Sequence, residues 1–159
     1  MQRIVKDILI GIVILIFQLT VVDWIRIQNI RPDLLMLYIL YLGYREGKVA
    51  GMLFGFAFGL LQDLTAASAF IGLSSLSKTM VGFSAGYLQG KFTVYNPFTL
   101  YGAAAVFILL GQFIYFYVYY AAAPASGTEI LGRFVIPAAA YTVLLGGILM
   151  VILPLRLQE

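Results

Sequence analysis

Apolar residues fall into six runs, and charges and turn residues separate them. The first run is Ile8–Val22, closed by Asp23 and the connector DWIRIQNIRPD. The second is Leu34–Tyr44, interrupted by Arg45, Glu46 and Lys48; the third, Val49–Leu64, carries Asp63 near its end. A small-residue link, TAASAFIGLSS, leads to a fourth run over about Leu76–Gly90. Lys91 and Asn96-Pro97 precede the fifth, Phe98–Ala122, and the loop APASGTE precedes the sixth, Phe134–Leu153. The pattern predicts six helices, the second and third of them short. Pro32 suits the first turn of the second helix, where its missing N–H costs nothing, and Thr128 is placed to cap the approach to the sixth.

Runs of this kind call for a lipid solvent. Of the 159 residues, 62% are hydrophobic and 11% charged, against roughly 25% charged in an ordinary soluble domain. The fold class expected is an all-α integral membrane protein, one domain over residues 1–159, with six transmembrane helices. A span needs about 20 residues to cross ~30 Å of hydrocarbon, so the second and third are short for the task. Reading them as a re-entrant hairpin would put Arg45, Glu46 and Lys48 in mid-bilayer, at ~2.5 kcal/mol or more each. Two short spans that thin or tilt the bilayer locally are preferred. Residues 1–22 read as a retained first helix, because no small-x-small cleavage site follows them.

Charge placement orients the chain. Arg3, Lys6, Arg45, Lys48, Lys91 and Arg156 fall on one side of a six-span bundle. Arg26, Arg31 and Arg133 fall on the other, with Lys78 counted there if it lies near that surface. The positive-inside rule then puts both termini in the cytoplasm. Tyr115, Tyr117, Tyr119 and Tyr120 gather at the far end of the fifth run, where such rings favour the headgroup level.

Within the runs, glycines recur every fourth residue. Gly43 and Gly47 are assigned to the turn; Gly51, Gly55 and Gly59 lie on one helix, and Asp63 continues the count. The fourth run repeats the device with Gly82, Gly86 and Gly90, extended backwards by Lys78 and Ser74. Four residues advance a helix by about 400°, so each ladder winds slowly along one face. In lipid, close packing rather than hydrophobic gain brings helices together, and small residues let backbones approach. These stripes can pack the protein's own bundle or dock a partner helix. Asp63 needs a donor if it is buried. The candidates are Lys78 and the amides or hydroxyls of the 65–75 link, namely Thr65, Ser68, Ser74 and Ser75.

The inventory disfavours catalysis. The chain has no His and no Cys, and seven acids in all, so zinc and thiolate sites and Ser–His or Cys–His pairs are excluded. No cofactor, metal or nucleic acid is expected.

Several of these residues together resemble a known family. Pro32-Asp33-Leu34-Leu35 opens a short helix, followed by Gly47 and Gly51, then Gly55-Phe56 and Gly59-Leu60-Leu61-Gln62-Asp63. Ile71-Gly72 precedes a helix bearing Gly86-Tyr87-Leu88. Over residues 31–90 this is similar to the rod shape-determining protein MreD family. The resemblance implies a non-enzymatic subunit of the bacterial elongation machinery in the inner membrane. Its implied partners are the membrane helix of MreC, together with MreB, RodA and a class B penicillin-binding protein. It also implies a bundle like that of the S components of energy-coupling factor transporters. The alternative function is therefore a vitamin-binding S component. Such proteins meet their transporter core through small residues on the first helix. Here ILIGIVILIFQLTVV has only Gly11 in its middle, which counts against transport.

Overall fold

The computed structural model describes residues 2–21, 30–66, 70–91, 97–121 and 126–152. Asp23, Arg26, Ser68, Asn96 and Arg156, named above, lie outside the described residues. Every regular element named here is helical: α1 Gln2–Thr20, α2 Leu34–Glu46, α3 Lys48–Thr65, α4 Leu73–Gly86, α5 Pro97–Tyr119, α6 Gly127–Ile130 and α7 Ile136–Ile152. A π-helical turn, Leu131–Val135, joins α6 to α7, so the last three pieces form one rod and the six expected rods are present.

Helix ends account for most differences from the predicted runs. α1 begins six residues before Ile8 and takes in Arg3 and Lys6. α2 starts at Leu34 because Asp33 is its N-cap, its side chain accepting the Met36 amide at 2.8 Å. Pro32 therefore precedes the helix rather than occupying its first turn, and its carbonyl accepts from Gln18 Nε2 at 3.0 Å. α4 is set back from Leu76–Gly90 to Leu73–Gly86. Gly72 takes the left-handed conformation at its start (φ 96°), which glycine adopts without a Cβ penalty. At the last rod the cap is Ser126, not Thr128. Ser126 and Glu129 form a reciprocal capping box, while the Thr128 hydroxyl only meets that of Ser126 at 3.1 Å. The π turn lies just ahead of Pro137. Proline has no N–H to return to the carbonyl four residues back and its ring crowds it, so the helix widens there; the Ile136 amide reaches Leu131 instead.

One residue, Gly47, separates α2 from α3, with φ 93° and ψ −175°, a region essentially closed to side chains with a Cβ. The sharp turn folds α2 against α3, and α4 lies against both. α2 also touches α1, α5 and α7, so it runs through the middle of the molecule. Its residues enter two cores from different faces. Leu35 and Ile39 pack with Leu15 of α1 and Phe58 of α3. Met36, Leu40 and Tyr44 pack with Val81, Ala85, Ile108 and Ala139 of α4, α5 and α7.

The radial distribution of polarity is inverted. Asp7, Gln18, Asp63, Ser74, Ser75, Ser77, Lys78, Gln112 and Thr142 are buried. Outward positions are apolar on every long helix but α2: Val13 on α1, Leu53 on α3, Met80 on α4, Leu110 on α5 and Leu144 on α7 are all exposed. Two stretches, Phe98–Tyr119 and Gly127–Leu149, are long and apolar enough to cross a bilayer.

Candidate functional site

The two glycine ladders face each other. A Cβ placed on Gly55 would meet the Lys78 carbonyl oxygen at 2.6 Å. One on Gly59 would strike the Ser75 backbone, and those on Gly51 and Gly82 would each strike the other's carbonyl. Gly86 abuts the Lys48 backbone. The ladders thus form one seam in which the α3 and α4 backbones touch, and neither stripe is open to another chain. Gly43, assigned above to the turn, is instead helical and buried on α2. A Cβ there would meet the Gly82 carbonyl at 2.5 Å and Ala85 Cβ at 2.9 Å. Gly43, Gly51 and Gly82 are therefore a junction of three backbones. Gly90 does not belong to the seam: α4 has already ended, and Gly90 sits in the following turn with φ 71° and nothing near its Cβ position. Counting by fours overran the helix there.

At one end of the seam Asp63 is 1% exposed. Its Oδ2 accepts the amides of Gly72 at 2.8 Å and Ser74 at 3.0 Å. These are N-terminal amides of α4, whose own cap residue, Gly72, has no side chain to offer. An acid from α3 thus caps α4 across the seam, where the helix dipole also favours negative charge. The donors come from the link, as one of the sequence alternatives held. Lys78 is not the partner.

Lys78 pairs with Asp33. Its Nζ lies 2.6 Å from Asp33 Oδ2, and the lysine side chain is 2% exposed. Asp33 divides its carboxylate, Oδ1 capping α2 and Oδ2 receiving the ammonium. Its amide donates to Thr142 Oγ1 of α7 at 3.1 Å. Gln18 of α1 brackets the same helix start, accepting the Leu34 amide at 2.9 Å while donating to Pro32. Beside Lys78, Ser77 Oγ donates to the Gly111 carbonyl of α5 at 2.7 Å. One polar knot therefore ties α1, α2, α4 and α7 together, with α5 held at its edge.

Toward the other end, Arg45 at the close of α2 bonds Asp7 of α1 and Glu46. Tyr38 donates to the Asp7 carbonyl at 2.9 Å. Gln89, beyond α4, donates to the Arg45 carbonyl at 3.3 Å.

Of the residues singled out from sequence, Gly51, Gly55, Gly59, Gly82 and Gly86 come together, with Asp63 at their end and Lys78 on the adjoining face. Asp33 as an ion-pair partner, Gln18, Thr142 and Asp7 were not singled out. Each is a polar residue standing inside or at the edge of an apolar run, and that was the available signal. What the arrangement does chemically is bind helices to one another. Among the described residues no three His, Cys, Asp or Glu side chains converge to hold a metal ion.

Comparison with known proteins agrees with the motif resemblance. No curated protein and no solved structure matches the chain. The family model described as rod shape-determining protein MreD matches residues 2–158. That match covers nearly the whole length, including the first and last thirds where no motif is recognisable, so the chain belongs to the MreD family of rod shape-determining proteins.

Proposed function

We propose that this chain is a non-enzymatic, six-span subunit of the cell-elongation complex, embedded in the bacterial inner membrane with both termini in the cytoplasm. Its role in rod-shape determination comes with the family. The observation that carries the membrane reading is the inverted polarity. Ion pairs and hydroxyls lie inside, while exposed apolar faces run along the helices that enclose α2. In water such a surface would associate; in lipid it is solvated, and internal charges persist only where they are paired. The short α2 is consistent with this, since its flanks are covered by protein, its first amides are accepted by Asp33 and Gln18, and Gln89 donates to the Arg45 carbonyl at its close.

The partner proposed is the membrane helix of MreC, with MreB, RodA and a class B penicillin-binding protein in the same assembly. Because the glycine seam is already filled, the partner helix docks on an outward apolar face. The native chain has no cysteine, so single cysteines report without background. Crosslinking to MreC from the outward positions Phe56, Met80 or Leu144, and none from the buried positions Ser75 or Ala85 beside the seam, is the expected pattern. Crosslinks confined to the seam, or no co-purification with MreC from membranes, would overturn it. For topology, cysteines at Lys48 and at Gly127 should label from opposite sides of sealed vesicles.

The S-component alternative gains no support here. The single small residue of α1, Gly11, is filled by the Phe58 ring of α3, so α1 has no small-residue face left for a transporter core.

A further inference from the structure

One end of the bundle collects positive charge from four parts of the chain. The Asp7–Arg45 bond brings the first turns of α1, with Arg3 and Lys6, beside the end of α2. The one-residue Gly47 turn places Lys48 there too. Gln89, bonded to the Arg45 carbonyl, clasps the turn after α4 onto it and brings Lys91 with it. The acids described at this end are Asp7 and Glu46, and both are bonded to the single guanidinium of Arg45. Among the described residues no acid lies at ion-pair distance from Arg3, Lys6, Lys48 or Lys91. Lys48 is held upright by a neighbour rather than by a counter-ion: its Nζ lies 3.4 Å from the centroid of the Tyr87 ring, itself 52% exposed. Directly beyond this rim along α3 and α4 come exposed apolar side chains, Val49, Met52, Phe83 and Met80.

We propose that this rim is a binding surface for anionic glycerophospholipid headgroups, with Lys48 and Lys91 as its principal ligands. The inference rests on the bilayer reading above. A cationic rim abutting an apolar flank matches a lipid, which offers a phosphodiester above acyl chains. An acidic protein would match the charge and leave the flank uncovered. Arg3 and Lys6 extend the surface onto α1, and Tyr87 lies at the boundary, its ring against apolar neighbours and its hydroxyl free to reach headgroup water. Lysines near an anionic surface each strengthen attachment by about fivefold.

The test is titration of the full chain, in micelles of a neutral detergent, with phosphatidylglycerol or phosphatidylcholine, reading bound lipid by native mass spectrometry. Phosphatidylglycerol should bind at least tenfold more tightly. Lys48→Gln and Lys91→Gln should each lower its affinity about fivefold and leave phosphatidylcholine unchanged. Lys48→Arg should retain it, and Arg133→Gln at the opposite end should do nothing. Unchanged circular dichroism separates lost binding from lost fold. Equal binding of the two lipids, or an equal loss in Arg133→Gln, overturns the proposal. Wild-type protein that fails to float with vesicles at all would instead remove the bilayer reading on which it rests.

Discussion

The ammonium of Lys78, on α4, sits 2.6 Å from the carboxylate of Asp33, the cap of α2, with the lysine side chain almost wholly shielded from solvent. The two are 45 residues apart in the chain, and their bond joins the seam-forming hairpin to the central helix. Ser77, the preceding residue, bonds Gly111 of α5. From Gly111 the helix rises about 12 Å more to Tyr119, and Lys78 is enclosed by its neighbours at 2% exposure.

Breaking that pair on one side should cost more than deleting it. Lys78→Met leaves the largely shielded Asp33 carboxylate without its cation, and a loss of about 3–5 kcal/mol is expected. Asp33→Asn keeps an acceptor for the Met36 amide but strands the ammonium. The double variant Asp33→Asn/Lys78→Met should recover most of the stability, read from thermal unfolding in detergent. Strictly additive single effects would show that the two side chains are not coupled.

Bulk in the seam should separate α3 from α4. Gly55→Ala places a methyl against a backbone carbonyl that cannot swing aside, and a penalty of about 1–3 kcal/mol or more is expected. Gly55→Leu should abolish the compact state. Gly102, exposed on the outer side of α5 with nothing near its Cβ position, is the control. Gly102→Ala should be neutral or mildly stabilising, since alanine favours a helix interior. Equal melting temperatures for Gly55→Ala and Gly102→Ala would refute the seam.

Asp63→Ala removes the acceptor for two α4 amides, and about 1–3 kcal/mol should be lost. Asp63→Asn retains an oxygen at the same place and should be milder. Hydrogen exchange supplies the site-specific readout: the Gly72 and Ser74 amides should exchange faster in Asp63→Ala than in Asp63→Asn. Unchanged protection in both variants would mean that the carboxylate does not cap α4.

The ladders were legible because spacing alone dictates which residues share a helix face. The sequence left open whether the stripes met each other or another chain, because small residues serve both purposes. That question needed the cap that Asp63 of α3 gives to the start of α4, which holds the two helices in register. Gly90 was misplaced for a related reason: periodicity carries no information about where a helix stops. The Lys78–Asp33 pair lay further out of reach. A lone lysine in an apolar helix commonly snorkels, and nothing local ties it to an acid two helices earlier. Asp33 itself stood in the motif Pro32-Asp33-Leu34-Leu35, but placing Pro32 in the helix's first turn put Asp33 inside it, so neither its capping role nor its ion pair was read.

The burial of α2 sets an order of construction. It is synthesised second, yet part of its enclosure, α5 and α7, is made last. At ~5–20 residues per second, roughly 5–20 s separate its completion from that of α7. At first its two ends can be held by α1, through Gln18 at one and Asp7 at the other; once α4 is made, Lys78 and Gln89 join them at the same two ends. The bundle's heart thus leans on the first helix, and then on the α3–α4 pair, until the final wall arrives, and any factor that shepherds nascent membrane chains would find its client there.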